Sequence, residues 1–218
     1  MARDDRRSRK AGGVADSIGE ADAAAATAMA PYARLPWLEP LADLGDQPQL
    51  RTLCAAAIAA GLAAGRSSKW GPRLARAGLR MLIAHEAATL AKDFVKRRVD
   101  RTRPRSLHRA GKDHRPRPGT SRAKEETSFP SGHSAGAAAV ARAFAREFPE
   151  HAVPAAAAAG ALALVQVPRC AHYPTDIAAG LAVGLLAEAA VAALWPERPA
   201  SASEPLSSET EPSPCATC

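Results

Sequence analysis

The chain has 218 residues, enough for one domain of ordinary size with tails to spare. Hydrophobic residues make up 47% of it, yet 54 residues are Ala and only 4% are aromatic, which favours helices and argues against an all-β fold. The net charge is +7, and residues 97–128 alone carry a surplus of positive charge of this size, because they contain eleven Lys and Arg but four Asp and Glu. No nucleic-acid recognition motif accompanies these cations, so a nucleic-acid partner is not expected.

Both ends of the chain differ in composition from its middle. Residues 1–30 are basic and then Ala-rich without a sustained hydrophobic period, and residues 196–218 are rich in Pro, Ser and Glu. We expect a flexible N-terminal segment, a helical domain over residues 31–195 and a disordered tail. No Leu-rich segment follows the basic start, so a secretory signal peptide is not expected. Cys215 and Cys218 lack a second ligand pair, and no role is assigned to them.

The middle of the chain reads as a series of helices. Residues 31–50 predict a short lead-in helix, and five apolar stretches follow at residues 52–65, 74–96, 128–148, 152–168 and 176–195. Gly65 and Asp176 are typical helix-end and helix-start residues. The sequence therefore predicts an all-α fold, a bundle of five to six helices.

Two of these stretches are relevant to whether the bundle lies in a membrane or in water. Residues 152–168 and 176–195 come near the ~20 apolar residues that a membrane-spanning helix needs. Ala contributes little to membrane insertion, so periodicity by itself leaves a membrane bundle and a soluble bundle equally open. The predicted fold is the same in either case.

Polar residues gather in three clusters at helix ends. The first runs from Lys96 to Pro104, the second is Ser-Phe-Pro-Ser-Gly-His-Ser at residues 128–134, and the third covers residues 169–176. Helices joined by short connections alternate in direction, so all three clusters are predicted to lie at one end of the bundle.

The second cluster predicts an anion site. A helix that starts near Ser131 presents free backbone N–H groups and the positive end of its dipole, and Gly132 has no side chain to obstruct an oxyanion. Lys96 and Arg103 add a point charge and a bidentate fork for phosphate oxygens.

Two histidines at this end of the bundle are candidate catalytic groups. Of His133 and His172, one can attack phosphorus and the other can protonate the leaving oxygen, since both titrate near neutral pH. Asp176, four residues after His172, can hold the imidazole tautomer whose attacking nitrogen is bare. The combination predicts phosphoryl transfer. Because no metal-ligand set is found at the site, no metal or other cofactor is expected.

The order and spacing of these residues resemble the type 2 phosphatidic acid phosphatase family, whose core is shared by vanadium haloperoxidases and bacterial class A acid phosphatases. The resemblance covers about residues 50–195. It rests on three motifs. In the first, six residues separate Lys96 from Arg103-Pro104; the second is Pro130-Ser-Gly-His133, and the third is His172-x-x-x-Asp176.

The resemblance implies a role for each motif residue. His172 would be the nucleophile that forms a phosphohistidine, Asp176 its orienting partner, and His133 the acid for the leaving group. The residues implied as the phosphate cradle are Lys96, Arg103, Ser131 and Gly132.

One position departs from the family pattern. The family has Arg six residues before the nucleophilic His, whereas this chain has Gln166 there, preceded by Val165. Arg169, three residues before His172, is the nearest Arg. Either Arg169 reaches the phosphate in its place, or the site has lost one cationic contact that stabilises the transition state.

The sequence thus predicts a phosphatase for a phosphate monoester or pyrophosphate, on a lipid, in a multi-pass protein of the bacterial inner membrane. The lipid follows from the resemblance and from the apolar character of the last two helices. Three alternatives stay open: a soluble acid phosphatase for small phosphate esters, a non-catalytic phosphate-binding or lipid-binding membrane protein, and, more remotely, a haloperoxidase. The basic loop over residues 97–129 favours a cytoplasmic site by the positive-inside rule, whereas many relatives face outward, so orientation, like oligomeric state, stays open.

Overall fold

In a computed structural model, which describes residues 2–106 and 114–195 with side chains from residue 16 onward, the chain is an all-α bundle, as predicted. Its helices are α1 (Ala2–Met29), α2 (Leu38–Asp43), α3 (Gln47–Ala63), α4 (Gly71–Lys96), α5 (Gly132–Glu147), α6 (Ala152–Leu164) and α7 (Pro174–Leu194). Short 3₁₀ turns occupy Ala30–Arg34, Lys124–Glu126 and Pro149–His151. The predicted disordered tail, with Cys215 and Cys218, lies outside the described residues.

Helix boundaries follow local capping chemistry. α5 begins at Gly132 because the Ser131 side chain accepts a hydrogen bond from the backbone N–H of Ser134 at 3.4 Å, which makes Ser131 the N-cap. α7 begins at Pro174, whose missing N–H costs nothing in a first turn. α6 ends at Leu164, four residues before the predicted end, and a turn leads from there to His172.

Small side chains build the core. α5 lies at the centre and packs against α4, α6 and α7, while α3 packs against α4. Ala on facing surfaces lets helix axes approach closely, which explains how a chain with so few large apolar residues forms a core. The main core cluster consists of Leu50, Cys54, Ala77, Met81, Ala84, Ala88, Ala139, Val140, Ala143 and Ala187.

The connection from α4 to α5 folds over one end of the bundle. Its strand β1 (Val99–Asp100) pairs antiparallel with β2 (Arg117–Pro118). The buried Asp100 carboxylate accepts a hydrogen bond from the backbone N–H of Ser121 at 2.9 Å, which holds the two sides of the connection together. The basic residues of this stretch therefore belong, in the part described, to an ordered loop.

The N-terminal segment differs from the expectation of flexibility. Ala2–Met29 is helical, and Asp22 is buried with its Oδ2 2.6 Å from Nη2 of Arg101. An ion pair between positions far apart in sequence thus attaches α1, and a hydrophobic period does not reveal such a contact. Ala favours the helix, and this ion pair is one of the tertiary contacts that join it to the rest of the chain.

One helix in the described part of the chain, α7, is long and apolar enough to cross a membrane. Its most apolar 18-residue window has a mean hydropathy of 2.1, and 28% of that window is buried. Leu186 and Leu194 are largely exposed on this helix. A mostly unburied apolar helix fits contact with lipid better than a place in a soluble core.

The crossing of α5 and α7 generates a stability prediction. A Cβ added at Gly184 would overlap the carbonyl oxygen of Ala135, whereas one at Gly160 on α6 would meet nothing within 4 Å. Gly184→Ala should lower the free energy of unfolding by about 1–3 kcal/mol through overpacking. Gly160→Ala, the matched control, should raise it by about 0.5–1 kcal/mol. Thermal unfolding of both variants in detergent measures this, and equal melting temperatures would contradict it.

Candidate active site

The three polar clusters meet at one end of the bundle. The rings of His133 and His172 have centroids 6.3 Å apart and are inclined at 64°. The backbone N–H of Ser131 donates to the carbonyl of Asp176 at 3.0 Å, which joins the starts of α5 and α7. Nη1 of Arg103 donates to the carbonyl of Ala171 at 3.2 Å, so the first cluster reaches the third.

His172 is buried at the centre of this site. Its Nδ1 lies 3.6 Å from Oδ2 of Asp176, so Nε2 is the ring nitrogen turned away from that carboxylate. Burial lowers the pKa of His172 to about 4, even though Asp176 acts in the opposite direction. The imidazole is therefore neutral at pH 7, as a nucleophile requires.

Asp176 is held by groups that the sequence analysis did not single out. Its Oδ1 lies 2.6 Å from Nη1 of Arg101, and its Oδ2 accepts the hydroxyl of Ser128 at 2.5 Å and the backbone N–H of Tyr173 at 3.0 Å. Arg101 is fully buried. Nothing in the sequence separates it from neighbouring Arg residues of the same basic cluster, because only the folded loop selects its partner.

His133, the second residue of α5, faces a carboxylate. Its Nε2 lies 2.6 Å from Oδ1 of Asp46, a residue between α2 and α3 that no sequence motif marks. Burial lowers the pKa of His133 from its ordinary value, while Asp46 opposes the shift. The carboxylate thus favours the protonated ring, the form that a proton donor needs.

The two cations of the predicted cradle are fixed by backbone carbonyls. Nζ of Lys96 donates to the carbonyl of Thr127 at 2.6 Å, and Nε of Arg103 donates to that of Lys124 at 2.7 Å. Burial lowers the pKa of Arg103 to about 10, which leaves it charged at neutral pH. Carbonyls orient these side chains without neutralising them, so their charge is available to an anion.

Ser131 and Gly132 lie at the N-terminus of α5, as predicted. The Ser131 hydroxyl is fully buried and accepts a hydrogen bond from the Ser134 hydroxyl at 2.9 Å. A Cβ at Gly132 would lie 3.1 Å from Cδ of Lys92, so a larger residue would crowd that side chain.

Arg169 and Gln166 lie side by side. Nη1 of Arg169 is 3.5 Å from Oε1 of Gln166, and its Nη2 is 3.3 Å from Oε1 of Glu39 and 3.9 Å from Oδ1 of Asp43. Gln166 is fully buried, and its Nε2 finds no hydrogen-bond partner among the described residues. Both candidates for the missing family contact are therefore adjacent, one charged and one neutral.

No group of three His, Cys, Asp or Glu side chains within residues 16–106 and 114–195 is arranged to hold a metal ion. Metal independence of the reaction stays a prediction.

Comparison with known families identifies the family. The model of the PAP2 superfamily matches residues 77–200, more than half of the chain, and the matched segment includes all three polar clusters. The chain belongs to the PAP2 superfamily. The resemblance inferred from the motifs is thereby confirmed. The PAP2 match begins within α4, so it leaves α1, α2 and α3 outside.

Two curated bacterial proteins are similar to part of this PAP2 chain. The lipid A 1-phosphatase of Rhizobium johnstonii is 41% identical over 96 residues, which cover 44% of this chain and 38% of the relative. The lipid A 1-phosphatase of Rhizobium etli is 41% identical over 95 residues, covering 44% and 40%. The matched region thus spans about two fifths of the length of these curated relatives.

A crystal structure supports the PAP2 fold. The transmembrane PAP2-type phosphatidylglycerolphosphate phosphatase from Bacillus subtilis superposes with a TM-score of 0.56 at 22% sequence identity. The superposition covers 82% of this chain and 86% of that one. At this identity the likeness concerns the fold.

Proposed function

We propose that this chain hydrolyses a phosphate monoester or pyrophosphate of a lipid through a phosphohistidine on His172, without a metal. The observation that carries the proposal is the pair of imidazoles 6.3 Å apart, with Lys96 and Arg103 close enough to act electrostatically on His172. A tetrahedral phosphate between two such rings has a nucleophile on one side and a proton donor on the other.

In the first step, Nε2 of neutral His172 attacks phosphorus and the bond from phosphorus to the leaving oxygen breaks. Asp176, beside Nδ1, stabilises the positive charge that develops on the ring. Protonated His133 gives its proton to the leaving oxygen. The N–H groups at the start of α5, with Lys96 and Arg103, stabilise the equatorial oxygens.

In the second step, water attacks the phosphohistidine and the bond between phosphorus and Nε2 breaks. His133, now neutral, accepts the proton of the attacking water, so inorganic phosphate leaves and both imidazoles return to their starting states. The sum is hydrolysis of one ester or anhydride bond.

A lipid substrate is favoured by the names of the relatives and by the surface of the bundle. The relatives are phosphatases of lipid A and of phosphatidylglycerolphosphate. Leu90, Phe94, Leu186 and Leu194 are large apolar residues with more than half of their surface exposed. Such a surface suits a protein whose catalytic end meets lipid head groups, and we propose a multi-pass place in the bacterial inner membrane.

The first test is phosphate release from a panel of lipid A, phosphatidylglycerolphosphate, a polyprenyl pyrophosphate and a soluble aryl phosphate, in EDTA. We expect at least one lipid to be hydrolysed faster than the soluble ester. His172→Ala should lower the rate about a thousandfold or more, because the nucleophile is lost.

The outcomes separate the alternatives. Preference for the soluble ester, with the protein in a detergent-free fraction, would favour a soluble acid phosphatase. Turnover that persists in His172→Ala would mean that the rate belongs to a contaminant and would favour a non-catalytic phosphate-binding protein. Loss of activity in EDTA would overturn metal independence.

Arg169 is the second test. If it supplies the family's missing contact, Arg169→Ala should lower kcat/KM tenfold or more. Arg142, an exposed residue of α5, provides the matched control, and Arg142→Ala should leave kcat/KM unchanged. An unchanged rate in Arg169→Ala with a reduced rate in Gln166→Ala would instead assign the contact to the buried amide.

The pH dependence of kcat/KM is the third test. The free enzyme needs neutral His172, whose pKa is about 4, and protonated His133, whose pKa burial lowers from an ordinary value of about 6.5. The profile should therefore rise through pH 4 and fall before neutrality. Asp46→Asn removes the carboxylate that favours protonated His133, so the falling limb should move to lower pH while the rising limb stays. A shift of the rising limb alone would contradict this assignment.

A further inference from the structure

The N-terminal helix reaches the catalytic end through a buried carboxylate. Asp22 is 2% exposed, and its Oδ2 lies 2.6 Å from Nη2 of Arg101. Its Oδ1 accepts the backbone N–H of Thr175 at 3.2 Å, and the Thr175 hydroxyl donates to Oδ2. α1 is therefore attached to the residue that directly precedes Asp176.

Arg101 connects this carboxylate to that of Asp176. Its Nη1 is 2.6 Å from Oδ1 of Asp176 and donates to the Thr175 hydroxyl at 2.7 Å. Its Nε donates to the carbonyl of His114 at 2.8 Å, and its guanidinium lies over the Tyr173 ring at 4.1 Å from the centroid. One planar fork thus bridges two buried carboxylates and is held from several sides.

We propose that Asp22 is a positioning residue for the reaction: it holds Arg101 so that Asp176 stays aligned with Nδ1 of His172. The inference rests on the proposed function and adds a residue outside the family match, which begins at residue 77. Without Asp22, Asp176 is the one carboxylate still paired with the buried Arg101 among the residues that the structure describes. The carboxylate is then drawn toward the guanidinium and away from the imidazole.

The charged groups around His172 determine how a displacement of Asp176 would change the tautomer of the imidazole. Asp176 faces the ring from α7, Lys96 from the end of α4, Arg103 from the loop after it, and His133 from α5. Asp176 is the carboxylate in this set, and its Oδ2 lies 3.6 Å from Nδ1, just beyond hydrogen-bond distance, so its charge favours the tautomer with the proton on Nδ1 and a bare Nε2. Weaker contact with Asp176 lowers the population of that tautomer.

The kinetic experiment compares Asp22→Asn with Asp16→Asn in the full chain, purified in detergent. Asp16 lies on the same helix and forms an exposed ion pair with Arg115 at 2.8 Å, so its loss should leave activity unchanged. Asp22→Asn should lower kcat about tenfold with KM changed less than twofold, because Asp22 contacts neither Lys96 nor Arg103.

A second readout needs no turnover. Ring ¹⁵N chemical shifts at pH 7, with His172 assigned by its absence in His172→Ala, report the tautomer directly. Asp22→Asn should lower the Nδ1–H population of His172, and Asp16→Asn should not. A purely structural role would lower the melting temperature and leave the tautomer of the folded protein unchanged, which would overturn the proposal. If the wild type hydrolyses nothing in the panel, the proposed function fails and the tautomer alone decides this inference.

Thr175→Val is the milder variant should Asp22→Asn not fold. It removes the hydroxyl that joins Asp22 to Arg101 and keeps every charge. A loss of kcat of about threefold, with the same change in tautomer, supports the proposal. Unchanged kcat and tautomer in this variant would overturn it.

Discussion

The carboxylate of Asp176 is the point at which the separate parts of the catalytic end meet. It takes hydrogen bonds from Arg101 in the loop after α4, from Ser128 just before α5, and from the backbone N–H of Tyr173 just before α7. Removing one partner of a buried ion pair leaves an uncompensated charge and typically costs about 3–5 kcal/mol. The orientation of His172 is therefore stabilised by the same interactions that hold the loops to the bundle.

The small side chains of the core make this meeting possible. α5 and α7 cross where Gly180 and Gly184 lie against the backbone of α5, so closely that an added Cβ would overlap Ser131 or Ala135. Close crossing lets the Ser131 N–H reach the carbonyl of Asp176. A composition rich in Ala and poor in aromatics thus contributes to the site, because it lets the N-termini of two helices lie close together.

Features that depend on local sequence pattern could be predicted, whereas contacts between residues far apart in the chain could not. Apolar stretches bounded by caps predict the helices, and short connections predict that His133 and His172 share one end of the bundle. The partners Asp22 and Asp46 escape such reasoning, since an acidic residue in a polar segment looks the same whether it is solvated or buried. The α1 helix escapes it too, because its anchor is the pairing of Asp22 with Arg101 rather than a hydrophobic face.

The side chains around the proposed phosphate position differ in their hydrogen-bond partners. Lys96 and Arg103 are oriented by backbone carbonyls, which are neutral groups and form no ion pair with them. His133 and Arg169 instead face the carboxylates of Asp46 and Glu39. If a phosphate dianion binds here as we propose, it must compete with these carboxylates for the same donors. In the proposed mechanism, this competition would link substrate binding to the transfer of a proton from His133 to the leaving oxygen.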